Sequence, residues 1–340
     1  MKPDEPQKVL FKMAHTETVD RAIGVEPPVE DEIFDATELD QMEFEAVKYV
    51  IPGVFVEGLT LFCGKPKVGK SWLLLHAAHA VAGGGYTLGD THCIEGDVLV
   101  CSLEDNKRRL QNRMQKLFGG RPKSPRLKFK VKMPRLAQGG LETLRQWIKS
   151  VPNPRLIVID TLAMVRMPNR KEQSTYDADY TAVIELRNLA LEFGLAIVVV
   201  HHLRKMPADD AFDTVSGTLG LTGCPDSIVI LKREPTGTTL LGRGRDLEEF
   251  EKAIVFDKGN CLWRIEGDAT ELRRSTQQRE ILEAMRELQG PQTPLKIARH
   301  LGKQRDNVTH LLRKLAEDGI VRKVNYGQYE IAPKTENEDE

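Results

Sequence analysis

From residue 54 to residue 263, short apolar runs alternate with longer stretches whose apolar residues recur at helical spacing. The runs 59–63, 98–102, 129–133, 156–160, 196–200 and 227–231 predict strands, and the stretches 70–82, 107–118, 140–150 and 178–193 between them predict helices. Strand and helix in alternation give an α/β domain with a mainly parallel sheet. Three shorter runs, 240–242, 253–256 and 261–265, predict a meander that closes it.

The pattern changes near residue 267, where the chain becomes polar and charged, and a linker is expected over 268–276. Beyond it Ile281, Leu282, Met285 and Leu288 share a helical face that Gly290-Pro291 stops. Helices at 295–301 and 306–318 flank a turn at Gly302, and strands at 320–323 and 328–331 flank Asn325-Tyr326-Gly327. That is the order of a small winged helix-turn-helix domain. The expected organisation is a disordered acidic segment over 1–35, the α/β domain over 36–267, the linker, the winged unit over 277–332, and a tail over 333–340 too polar to pack.

Composition is that of a globular chain: 340 residues, 40% hydrophobic, with 49 Lys and Arg against 50 Asp and Glu. Five cysteines are scattered without a C-x-x-C pair, and the acidic amino terminus is not followed by an apolar run of the ~20 residues that span a bilayer. A cytoplasmic protein with no membrane partner is expected. Charge is unevenly distributed. Residues 1–44 hold twelve acids against four bases, whereas 107–135 holds twelve Lys and Arg and no acid. The basic stretch fits either a polyanion or a solvated face.

Chemistry enters at the first strand, turn and helix. Gly64-Lys65-Pro66-Lys67-Val68-Gly69-Lys70-Ser71, followed by Trp72 and an apolar helix, fits G-x-x-x-x-G-K-[ST]. The glycines let backbone N–H groups converge on a β-phosphate, the helix points its positive end at the same anion, Lys70 adds a charge, and Ser71 can bind Mg²⁺. A P-loop NTPase is expected, with ATP and Mg²⁺ as its ligands.

The strand at 156–160 ends in Asp160, the form of a Walker B carboxylate that holds Mg²⁺ through water. Thr161 follows it, so a water-activating Glu is not supplied there. Glu104, at the end of the 98–102 strand, is a candidate general base; with Asp105 it can equally cap the helix that follows. The 196–200 strand runs into His201-His202. Neighbours on an extended chain point opposite ways, which disfavours a zinc site, and one of the two can hydrogen-bond a γ-phosphate or simply end the strand.

Loops at the same edge carry Arg166, Arg170 and Lys171, and then Lys205, as candidate contacts to single-stranded DNA. Arg243 and Arg245 can reach a neighbouring subunit's γ-phosphate, or Arg245 can pair locally with Asp246 or Glu248. In the winged unit Lys303, Arg305, Asn307 and Arg313 are candidate duplex DNA contacts, with a protein-docking role as the other reading.

Five motifs in order, 64–71, Ser102-Leu103-Glu104-Asp105, Ile159-Asp160-Thr161-Leu162, His201-His202-Leu203-Arg204-Lys205 and Gly242-Arg243-Gly244-Arg245-Asp246, resemble the RepA-like branch of RecA-type ATPases found in plasmids, phages and integrated elements. The resemblance covers residues 50–267. It implies a RecA-like fold and a ring-forming, often hexameric, ATPase whose relatives include a plasmid replicative DNA helicase. It also implies Glu104 as catalytic glutamate, His201 or His202 as sensor, and Arg243 with Arg245 as a trans finger pair. The winged end departs from the smallest plasmid helicases of this type. The expected function is an ATP-driven motor acting on DNA; the alternative is an ATP-switched DNA-binding regulator or copy-control protein without translocation.

Overall fold

The computed structural model describes residues 33–121, 123–168, 175–203, 210–215, 219–234 and 237–332, which fall in two compact units divided after Ala46. In the first unit, helix α1 (Ala36–Asp40) is capped by Asp35, whose side chain accepts from the N–H groups of Thr37 and Glu38. The acidic segment before residue 33 and the tail after 332, both expected to be disordered, lie outside the described residues.

The second unit opens with a hairpin, β1 (Tyr49–Ile51) and β2 (Phe55–Val56). It continues through β3 (Gly58–Gly64), α2 (Lys70–Gly83), β4 (Tyr86–Thr87), β5 (Thr91–His92), β6 (Asp97–Ser102), α3 (Lys107–Phe118) and β7 (Leu127–Lys130). Next come α4 (Gly140–Lys149), β8 (Pro154–Asp160), α5 (Leu162–Val165), α6 (Thr175–Phe193), β9 (Ala196–His202) and α7 (Leu219–Gly223). Four strands follow, β10 (Ser227–Glu234), β11 (Gly237–Gly244), β12 (Phe250–Asp257) and β13 (Leu262–Asp268). Nine strands form one sheet in the order β13-β12-β11-β10-β3-β9-β8-β6-β7. From β10 to β7 all pairs are parallel, and the last three strands in sequence add antiparallel.

The central strands read as unbroken apolar runs because both of their faces are buried. On β8, Leu156 and Val158 enter the layer packed by α2 and α3, while Ile157 and Ile159 enter the layer packed by α4 and α6. Parallel strands put all their carboxyl ends along one edge, which is where the loops bearing the expected chemistry emerge. One strand is displaced from its expected place. β7 ends at Lys130, not at 133, because its neighbour β6 ends at Ser102, soon after Cys101 pairs with Lys130, and leaves the next residues nothing to pair with.

The expected linker over 268–276 is helical. The carboxylate of Asp268 accepts from the Thr270 N–H at 2.9 Å, and α8 (Ala269–Leu288) then runs unbroken into the winged unit. Polar sequence without Gly or Pro suits a solvent-facing helix as well as a linker, and Ala, Glu, Leu, Arg and Gln are strong helix formers. α8 packs on β12 and β13 at one end, and at the other on α9 (Pro294–Leu301) and α10 (Arg305–Glu317). The wing is the hairpin of β14 (Val321–Asn325) and β15 (Gln328–Ile331). Ile281, Met285, Ile297, Val308, Leu312 and Val321 belong to a core separate from those of the sheet.

Candidate nucleotide site

β3 delivers Gly64 to the carboxyl edge of the sheet, between Leu231 of β10 and His202 of β9. A Cβ at Gly64 would lie 2.7 Å from the Leu231 carbonyl oxygen, so only glycine lets the chain leave the strand here. The loop passes through left-handed backbone at Lys67 (φ 63°) and Gly69 (φ 110°), the kind of backbone from which anion-binding loops are built. Gly69 also lies against Trp263 of β13: a Cβ there would be 2.7 Å from the indole, and the Trp263 Nε1–H donates to the Gly69 carbonyl at 3.1 Å. α2 starts at the next residue.

Lys70 is buried, and its ammonium is held by three acceptors. It donates to the carbonyls of Gly64 at 2.6 Å and Lys65 at 3.1 Å, and it meets His202 Nδ1 at 3.2 Å. His202 Nδ1 must accept from the ammonium, so this contact fixes the imidazole tautomer. Burial lowers the Lys70 pKa, against the opposing pull of Asp160, Cys63 and Glu104. Ser71 Oγ donates to Asp160 Oδ2 at 2.7 Å. Burial raises the Asp160 carboxyl above its usual range and the nearby Glu104 adds to this, while the Ser71 hydrogen bond, Lys70 and Arg113 oppose it.

Glu104 and Asp105 are adjacent in sequence and separate in role. Asp105 turns inward, accepting from Ser102 Oγ at 3.1 Å and pairing with Arg113 at 2.5 Å and Arg109 at 3.2 Å. The cap of α3 is Asn106, whose side chain accepts from the Arg109 N–H. The Glu104 carbonyl accepts from Arg109 at 3.2 Å, but its carboxylate neither caps the helix nor pairs with a cation among the described residues; its Oε1 accepts from Thr161 Oγ1 at 3.1 Å, which faces it toward Asp160. The start of α2 and the ends of β6, β8 and β9 thus bring Lys70, Ser71, Glu104, Asp160 and His202 together. This donor set fits a magnesium–nucleotide: the 64–72 loop and Lys70 would take the phosphates, and Ser71 with Asp160 would hold Mg²⁺, which when bound neutralises phosphate charge.

The sequence does not announce Thr161, Arg113 or Trp263. Thr161 is legible only as a residue that is not Glu, and Trp263 lies on a strand far along the chain from the loop it touches. His201 sits beside Cys63, one residue from the contact with Lys70, so His202 is the histidine that faces the loop. Arg166 forms a salt bridge with buried Asp179, drawing it into the domain. Arg170, Lys171 and Lys205 lie outside the described residues.

Arg243 and Arg245 stand far from their own phosphate loop. Gly244 lies across Ser227 from Thr60 and Arg243 across Ile228 from Leu61, two strands away from β3 and three to four residues back from Gly64. Arg243 stacks over Phe212 at 4.3 Å and pairs with Asp210 and Glu249; Arg245 pairs with buried Asp226 at 3.2 Å, not with Asp246 or Glu248. In the winged unit, Arg305, Asn307 and Arg313 are exposed on α10, whose Val308, Leu311, Leu312 and Leu315 are buried. Lys303 is half-buried and bonded to Glu280. The wing tip adds Tyr326, fully exposed, with Lys323 over its ring at 5.8 Å.

The profile of a family described as AAA domain matches residues 26–208, and that of a family described as bacterial regulatory protein, arsR family, matches residues 275–323. Among solved structures, one described as an ATPase domain superposes with a TM-score of 0.50 at 14% identity, over 61% of this chain and 84% of that one. A DnaB-like replicative helicase, described with its interactions with primase, gives a TM-score of 0.51 at 14% identity, over 67% of this chain and 66% of that one. At such identity the likeness is one of fold. No curated protein matches the chain.

Proposed function

Since the chain belongs to the AAA domain family, we propose that it is a RecA-type ATPase that hydrolyses ATP with Mg²⁺ and acts on DNA as a helicase-like replication protein of a mobile element, similar to the RepA-like branch. The convergence of Lys70, Ser71, Asp160 and Glu104 carries the reading. In it Glu104 is the general base, free of any ion pair among the described residues and aimed by Thr161, and His202 senses the γ-phosphate through Lys70. Arg243 and Arg245, remote from their own loop, act across a subunit interface in a ring, hexameric as in the resembled family. Arg170, Lys171 and Lys205 contact single-stranded DNA, and Arg305, Asn307 and Arg313 contact duplex. The inward pairing of Arg166 and Lys303 removes them from the leading DNA contacts.

A second reading has an observation of its own. The unbroken α8 ties the winged unit to β12 and β13, and the winged unit matches a regulatory family, which suits an ATP-switched DNA-binding regulator. Two measurements separate these readings. Mass photometry with an ATP analogue should give a closed ring, and a forked duplex should be unwound with ATP but not by Lys70→Ala. A dimer that binds duplex and unwinds nothing would make the regulator the function.

A further inference from the structure

The stretch 107–135 forms α3, the turn after it and the edge strand β7, and it contains no acid. Some of its cations have internal duties: Arg109 and Arg113 hold Asp105, and Arg126 pairs with Glu95 and Asp97. Lys107, Arg108, Lys116, Lys128 and Lys132 are exposed and have no carboxylate partner among the described residues.

Two features distinguish this face from an ordinary solvated one. Lys107 and Arg108 open α3 directly after its cap, with no acid in the first turn, and the positive end of a helix disfavours cations there. Folding gains nothing from that placement, whereas a bound polyanion would. On β7, lysines on a sheet edge can be read as protection against pairing with other strands. An exposed aromatic does the opposite, yet Phe129, 37% exposed and level with Val100, stands on the α3 side of the edge, with Lys128, level with Leu99, on the other side. A ligand running along this edge meets the ring on one side and a cation on the other, the chemistry of single-stranded nucleic acid binding, where phosphates meet cations and a base stacks on an aromatic.

We infer that the amino end and outer face of α3, together with the edge of β7, bind single-stranded nucleic acid, with phosphates on Lys107, Arg108, Lys116 and Lys128 and a base on Phe129. None of these residues belongs to the segments 164–175 and 203–214 or to the winged unit. The inference rests on the DNA-directed reading for its partner, but the binding requires no turnover.

The test uses the full chain carrying Lys107→Ser, Arg108→Ser, Lys116→Ser and Lys128→Ser together, with a fluorescent oligothymidylate and a short duplex measured by anisotropy across a salt series. Oligothymidylate affinity should fall about tenfold or more, and the slope of log affinity against log salt should shrink by about 3, at ~0.7 per lost contact. Duplex affinity and DNA-free ATP turnover should not change. The melting temperature should hold or rise, because two cations leave the positive end of a helix. Unchanged oligothymidylate affinity and slope would overturn the inference and leave an acidic protein as the partner. Should the fourfold variant melt lower, Phe129→Ala decides alone: about tenfold weaker oligothymidylate binding at an unchanged salt slope supports the site, and unchanged affinity overturns it. Absence of ATP turnover in the wild type would sink the ATPase reading and leave this result standing.

Discussion

Asp160 is held in a form its surroundings resist. Its pKa is raised above the usual 3.8, chiefly by burial, so the folded protein takes up its proton more readily than the unfolded chain does. The charged form therefore weakens the fold at every pH above the folded pKa, and that cost disappears as pH falls below the unfolded value. Asp160→Asn should raise the melting temperature at neutral pH while removing Mg²⁺-dependent ATP hydrolysis. Differential scanning fluorimetry and a turnover assay check both halves. A lower melting temperature would contradict the reading that this carboxylate serves function at the expense of stability.

His76, half-buried on α2, is the opposite case. Burial first, then His79 and Arg121, lower its pKa from 6.5 to about 4, so it stays neutral in the fold where the unfolded chain would protonate. The unfolded state then binds more protons, and stability is lost as pH falls through the window from 6.5 to about 4. Urea unfolding at pH 7 and pH 5 should show the loss, and His76→Gln should flatten it. An equal slope in both proteins would assign the acid sensitivity to other groups.

At the scale of elements, β13 joins the phosphate loop to the winged unit. Trp263 donates to the Gly69 carbonyl from one strand, and α8 leaves the end of that same strand. Trp263→Phe keeps most of the packing and removes one hydrogen bond worth about 1 kcal/mol, so KM for ATP should rise about fivefold with kcat little changed. A matching fall in kcat instead would place Trp263 in the chemical step.

The legibility of these elements follows their physics. β3, β8 and β9 are readable because strands buried on both faces must be apolar throughout, and Asp160 is readable because it ends such a strand. The start of α8 reads as a linker because a polar helix and a linker share a composition when the contacts that order the helix lie on β12 and β13, outside its own sequence. Glu104 and Asp105 cannot be told apart for a similar reason: which carboxylate turns inward is decided by Arg113, two turns along α3, and by Thr161 on another strand.

For the whole molecule, the separation of Arg243 on β11 from Gly64 on β3 matters most. Arg243 is level with Leu61 and Gly244 with Thr60, two strands away from β3 and three to four residues back from Gly64, so the finger role proposed for these arginines calls for the phosphate loop of a neighbour. Arg243→Ala costs little stability, since its partners Asp210 and Glu249 are exposed and such pairs contribute about 0–1 kcal/mol. Its turnover should fall by about 10³-fold if it acts as a finger. Mixing it with Lys70→Ala subunits should restore part of the activity, because some interfaces then join an intact arginine to an intact loop. No recovery in confirmed mixed assemblies would confine both arginines to structural pairing.

In the proposed function the cluster at the carboxyl edge of the sheet hydrolyses ATP through Glu104. The most direct test is to measure nucleotide binding and single-turnover hydrolysis together in Glu104→Gln, where the amide keeps the shape and the Thr161 hydrogen bond but cannot accept a proton from water. Wild-type affinity with hydrolysis slowed by about 10² to 10⁴ is the predicted result. Hydrolysis within about tenfold of wild type would show that the base is another residue and contradict the account.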